Sequence, residues 1–217
     1  TGLMTSWQIL LDISDANSRS VGCVCDISSV LAIINGLEIL DEDGSADSQS
    51  YALEVIRNVS EQASARLQFA RFAFGASGSA GSTIELDNAR DLALGFVGNG
   101  KHKLEWHAQS GPVAKDVGKL LLNLVASAVS ALPRGGQIVV GMSGDLAAPE
   151  FRLRCTGKGA RRPNFLGDLV AGQALDDIDS MSIQAYYTWR LAEASHMALA
   201  IVEVEPGCVE VSATAKA

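Results

Sequence analysis

Two runs of apolar residues at helical spacing, joined by a short acidic turn, constrain this chain more than any other feature. Ile27, Val30, Ile34 and Leu37 recur at the period of a helix, and the pattern stops at Asp41-Glu42-Asp43-Gly44. A second run begins near Ser48 and places Leu53, Ile56, Ala63, Leu67, Ala70 and Phe74 on a shared face, until Gly75 and the small residues after it break the pattern. The spacing predicts two amphipathic helices folded back as an antiparallel hairpin. At the helical rise the second helix is roughly 38 Å long, and a lone hairpin of that length cannot enclose its own apolar stripe. A partner surface is required. The simplest is a second copy of the chain, which completes a four-helix bundle about a two-fold axis.

The glycine, serine and alanine tract from Gly75 to Ser82 has nothing apolar to pack. It is expected to separate a hairpin domain, residues 1–77, from a second domain, residues 83–217. There the patterns predict helices near 86–97, 114–131, 164–171 and 180–194, and strands near 101–107, 136–142, 151–156, 197–204 and 208–214. Strands that arrive in hairpin-like pairs, interrupted by helices, point to an α/β sandwich with helices on one face of a mainly antiparallel sheet. The fold class is α+β. With 217 residues and a 47% hydrophobic share, the chain is long and apolar enough for a sizeable core.

Charge and cysteine usage exclude several functions. A net charge of -8 argues against nucleic acid or an anionic membrane as partner, since an acidic surface is repelled by both. The one basic cluster, Lys158 to Arg162, reads as a solvated loop. No segment reaches the ~20 apolar residues of a membrane helix, and no basic stretch precedes an apolar one at the start, so a cytoplasmic location is expected. Cys23, Cys25, Cys155 and Cys208 form neither a disulfide framework nor a zinc pattern. Cys23 and Cys25 are two apart on a helix, hence about 200° apart, and are poorly placed to share a metal. No metal or cofactor is expected.

Cys23-Val24-Cys25-Asp26-Ile27-Ser28-Ser29-Val30-Leu31-Ala32-Ile33-Ile34-Asn35-Gly36-Leu37-Glu38-Ile39-Leu40 resembles the first helix of the ChpT-type histidine phosphotransferases, whose pattern is C-H-D-L-I-S-P-V-G-A-I-N-N-G-L-E-L-L. Ala32 to Leu40 fits closely. Leu67 to Ala76, LQFARFAFGA, is similar to the end of that family's second helix, and Lys119 to Gly136, KLLLNLVASAVSALPRGG, to the long helix of its second domain. Weaker similarity around Lys101 to Trp106 and Gln184 to Glu193 extends the resemblance over nearly the whole chain.

The resemblance implies a homodimeric phosphorelay protein: a helical hairpin that docks receiver domains of response regulators or of a hybrid kinase, followed by a degenerate sensor-kinase ATPase-like domain. In that family a histidine exposed on the first helix takes a phosphoryl group from a kinase and passes it to a receiver aspartate. An imidazole is needed there because its neutral nitrogen is nucleophilic near neutral pH. The register set by Gly36-Leu37-Glu38 puts Val24 at the histidine and Cys25 at the following acid. Valine has no nucleophile, and no alternative register supplies a histidine, because the first in the chain is His102. The resemblance still implies that partners dock around Val24, Cys25, Ser28 and Leu31.

Other candidates are weaker. His102, His107 and His196 read as surface or helix-end residues without a paired carboxylate, and Asp26, Glu38 and Glu42 as solvated charge. Sensor kinases carry N-L-x-x-N-A-x-K and D-x-G-x-G where this chain has Asn123-Leu124-Val125-Ala126-Ser127-Ala128-Val129-Ser130 and Cys155-Thr156-Gly157-Lys158-Gly159. The magnesium-holding asparagine is replaced by Ser127 and the adenine-reading aspartate by Cys155, so nucleotide binding is not expected. Gly135-Gly136 and Gly157-x-Gly159 then read as structural turns. Beside the relay protein, two functions stay open: a non-catalytic adaptor that binds receiver or kinase domains in competition with an active relay, and a degenerate kinase that keeps ATP affinity.

Overall fold

The structure, a computed structural model, describes residues 27–42, 45–75, 82–98, 100–175 and 177–216. Val24, Cys25 and Asp26 lie outside the described residues, as does the expected boundary after residue 77. Two helices open the described chain, α1 (Ile27–Glu42) and α2 (Ala46–Phe74), packed against one another as a hairpin. Ser45 caps α2, its hydroxyl accepting from the Ser48 amide at 3.3 Å, so the helix starts two residues earlier than its apolar pattern. Gly36 is buried between the helices, where an added Cβ would sit 2.7 Å from Ile56 Cγ1.

The rest alternates strands and helices: β1 (Thr83–Glu85), α3 (Leu86–Val97), β2 (His102–His107), β3 (Pro112–Ala114), α4 (Lys115–Ala131), β4 (Gly136–Gly144), β5 (Pro149–Thr156), α5 (Leu166–Val170), α6 (Ile183–Ala194), β6 (Met197–Glu205) and β7 (Cys208–Ala215). Five strands form one sheet in the order β2-β4-β5-β7-β6, parallel between β2 and β4 and antiparallel elsewhere. This is the α+β arrangement with a mainly antiparallel sheet that the sequence predicts. The short β1 and β3 pair separately, an unforeseen two-stranded ladder; three residues are too few to show an alternation.

Strand alternation makes the sheet one-sided. On β5, Phe151, Leu153 and Cys155 are buried while Arg152, Arg154 and Thr156 face out, and Arg152 pairs with Glu210 and Arg154 with Glu205 across that open face. The buried face rests on α4, whose Leu120, Leu121, Leu122, Leu124, Val125 and Ala128 are wholly enclosed. Such a helix is apolar nearly all round because it lies between the sheet and α2, α3 and α6. Among the described residues no helix is long and apolar enough to cross a membrane.

The hairpin divides its apolar residues differently from the expected stripe. Ala52, Phe69 and Ala73 are the buried residues of α2, whereas Leu53 and Leu67 are about half exposed and Ile56, Ala63, Ala70 and Phe74 lie between. Phe69 and Ala73 belong to the common core with α3 and α4, so the last turns of α2 pack on the chain's own α/β layers. Burying Phe69 contributes on the order of 2–3 kcal/mol, more than any one polar contact at this junction. The first helix gains no such cover, and Val30, Leu31, Ile34 and Leu37 stay exposed.

Candidate functional site

Two regions hold the residues singled out by the sequence. The first is the outer surface of the hairpin. Leu31 lies one turn into the described part of α1, 52% exposed, and Ser28 lies a turn before it in the same helix. Val30, Ile34 and Leu37 form an exposed row at helical spacing, and Tyr51, Leu53 and Leu67 extend exposed apolar surface onto α2. Leu31, one residue on from Val30, points about 100° further round the helix, so the apolar surface has two sides. Solvated charge holds for Glu38, which is exposed.

The second region is the corner where α4 meets α6 and the end of α2. Ser127, which the sequence aligns with the metal-holding asparagine of kinases, is 1% exposed and donates to the Asn123 carbonyl at 2.9 Å. Gln184 of α6 reaches across and donates to that carbonyl at 3.2 Å, to Ser127 Oγ at 3.3 Å and to Thr188 Oγ1 at 3.0 Å. Ser130 donates to the Ser127 carbonyl at 2.7 Å. The Asn123 side chain donates to Ala73 O and Lys119 O, and its Oδ1 has no hydrogen-bond partner. The hydroxyls and amide donors that could meet a phosphate or metal are thus turned on the protein itself. Neither Lys119 nor Gln184 was marked by the sequence as part of this corner, although a lysine inside the apolar run KLLLNLV is a signal that its ammonium needs a buried partner.

Cys155 lies on the core face of β5 and is wholly buried. Burial, and then Cys208 nearby, push its thiol up to about 12, so it stays neutral. Cys208 lies on the open face, where Thr156 is its register partner and Arg154 Nε contacts its sulfur at 3.3 Å. The two thiols are on opposite faces of the sheet, and both are free. Among the described residues no group of three or more His, Cys, Asp or Glu could hold a metal ion.

The histidine expectations need correction at two positions. His102 is buried, and Nε2 lies 2.9 Å from the Leu132 carbonyl, because the first residue of β2 shares the inner face with Leu104 and Trp106. His107 does have a carboxylate near it: residues two apart on a strand share a face, and Nε2 is 3.7 Å from Glu105 Oε2, beyond hydrogen-bond distance. His196 is exposed after α6, as expected, and so are Lys158, Arg161 and Arg162 in the loop after β5. Gly135 and Gly136 turn α4 into β4 with φ of 85° and 148°, values that suit glycine.

Both regions lie within stretches that are similar to known proteins. The histidine phosphotransferase C-terminal domain family matches residues 86–207, which run from α3 to the β6–β7 turn. The chain is 42% identical over 199 residues to the protein phosphotransferase ChpT of Brucella abortus (strain 2308), a match covering 90% of this chain and 94% of that protein. A solved structure of a bacterial phosphotransferase superposes with a TM-score of 0.79 at 32% identity, covering 98% of both chains. The hairpin is included in the latter two matches, so the likeness is not confined to the sheet and its helices. The chain belongs to the ChpT-type histidine phosphotransferase family of two-component signalling.

Proposed function

We propose that this chain docks receiver domains, of response regulators or of a hybrid kinase, and that it does so as a homodimer whose two hairpins form a four-helix bundle. The observation that carries this reading is the exposed apolar row of Val30, Ile34 and Leu37, continued by Leu53 and Leu67, on a family member's hairpin. Isolated exposed leucines are ordinary, but a row of this length at helical spacing on paired helices is what a bundle buries. The side of α1 that carries Leu31 and Ser28, with Val24 and Cys25 preceding them in sequence, then remains available for the receiver. In this division residues 1–77 dimerise and dock, residues 83–217 are an ATPase-like unit that has lost its nucleotide, and the protein works in the cytoplasm beside its partners.

The family's phosphoryl capture has no acceptor here, since residues 1–101 contain no histidine. The chain is therefore read as an adaptor that occupies receiver or kinase surfaces in competition with an active relay protein. Nucleotide is left out of the reading because Ser127 and Gln184 are engaged with each other and Cys155 is a buried neutral thiol. Incubating the chain with a receiver domain phosphorylated on its aspartate tests the proposal. Binding without label on this chain is expected. Label on the chain would refute the adaptor reading, and absence of binding would refute docking.

A further inference from the structure

A helix leaves its last carbonyls without partners inside the helix, and its C-terminal end carries partial negative charge. At the end of α2 two of those carbonyls are met by a different element. Lys119 of α4, 1% exposed, donates its ammonium to Gly75 O at 2.5 Å. Asn123, one turn further along α4 and wholly buried, donates Nδ2 to Ala73 O at 3.1 Å and to Lys119 O at 2.9 Å. A buried ammonium is costly unless something compensates it, and here a helix C-terminus faces it.

Apolar contacts reinforce the same end. Phe69 stacks on Phe96 of α3 with ring centroids 4.0 Å apart, and Phe74 meets Tyr187 of α6 at 5.9 Å. A Cβ on Gly95 would stand 3.0 Å from Ala65 Cβ, so α2 and α3 are in close approach. After Gly75 the sequence continues ASGSAGS, which has no large side chain with which to hold an orientation.

We propose that Lys119 and Asn123 are positioning residues: they cap α2 from outside and fix the hairpin against the sheet-bearing body, so that a docking partner meets both parts as one preformed surface. The clause on the partner rests on the docking reading, whereas the cap does not. A preformed surface spares binding the cost of ordering two bodies against one another.

Amide hydrogen exchange on the full chain tests the cap. In the native protein, peptides from residues 69–75 should exchange as slowly as those of α4, because a capped and packed helix end does not fray. Lys119→Met should speed exchange at 69–75 at least tenfold while peptides from β5 and β7 stay slow, and Lys119→Arg, which keeps a cationic donor, should preserve the slow exchange. The double variant Lys119→Met, Asn123→Leu should further enlarge the radius of gyration seen by small-angle scattering. Fast native exchange at 69–75 overturns the proposal without any variant, and so does an unchanged rate in Lys119→Met. A receiver domain that ignores the wild-type chain sinks the docking reading and leaves the exchange result standing.

Discussion

Val24, which the resemblance aligns with the family's acceptor histidine, turns one side chain into a test of the scaffold. If the hairpin keeps the geometry of a phosphoryl acceptor and lacks the nucleophile, then Val24→His should accept label from a phosphorylated receiver domain, and the wild type should not. The double variant Val24→His, Cys25→Asp should do so about a hundredfold faster, because a carboxylate beside the imidazole fixes its tautomer and assists proton transfer. The product should be an acid-labile, base-stable phosphohistidine, and failure of both variants to take label would mean that more than a nucleophile has been lost. Residue-scale chemistry was legible in the sequence at positions such as Ser127 and Cys155, which it singled out and which the structure buries, whereas Val24 lies outside the described residues. It was not legible where a partner comes from afar. Gln184 reaches Ser127 across 57 positions, and Asn123 reaches Ala73 across 50.

Elements were read well wherever a pattern ran for several turns or strand residues. The helices expected at 86–97 and 114–131 are α3 and α4 within a residue, and all five strands of the large sheet occur where alternation places them. The inward face of α2 was misjudged because two of its three buried residues, Ala52 and Ala73, are alanines, which carry little hydropathic contrast with a solvated face. Close approach explains the choice of small residues, and it yields a prediction for the hairpin. Gly36→Ala gains up to about 1 kcal/mol of helix propensity, yet its methyl must displace Ile56, whose Cγ1 would be 2.7 Å away. Overpacking of this kind costs about 1–3 kcal/mol, so the steric term wins and the variant should be less stable by about 1 kcal/mol. Chemical denaturation of Gly36→Ala, Ile56→Ala and the double variant checks this. The pair should couple favourably, since removing the Ile56 side chain makes room for the methyl, and strict additivity would count against the contact.

At the scale of the whole molecule, the chain buries one end of its hairpin and exposes the other. The last turns of α2 share a core with α3 and α4, while the outward row on α1 stays exposed among the described residues. Removing the exposed row should therefore separate association from folding. The double variant Ile34→Asp, Leu37→Asp should convert the proposed dimer into a monomer in sedimentation at micromolar concentration, because two like charges per subunit would meet at the centre of the proposed bundle without partners. Its unfolding should keep the cooperative transition of the sheet and α4, whose contacts lie elsewhere. Leu31→Asp gives the complementary result: position 31 is about 90° round the helix from the centre of the row and about 60° from Ile34, its nearest member, so the proposed dimer should persist while receiver binding weakens. A wild-type chain that sediments as a monomer at those concentrations would leave the apolar row unexplained by self-association and would assign it to a different partner.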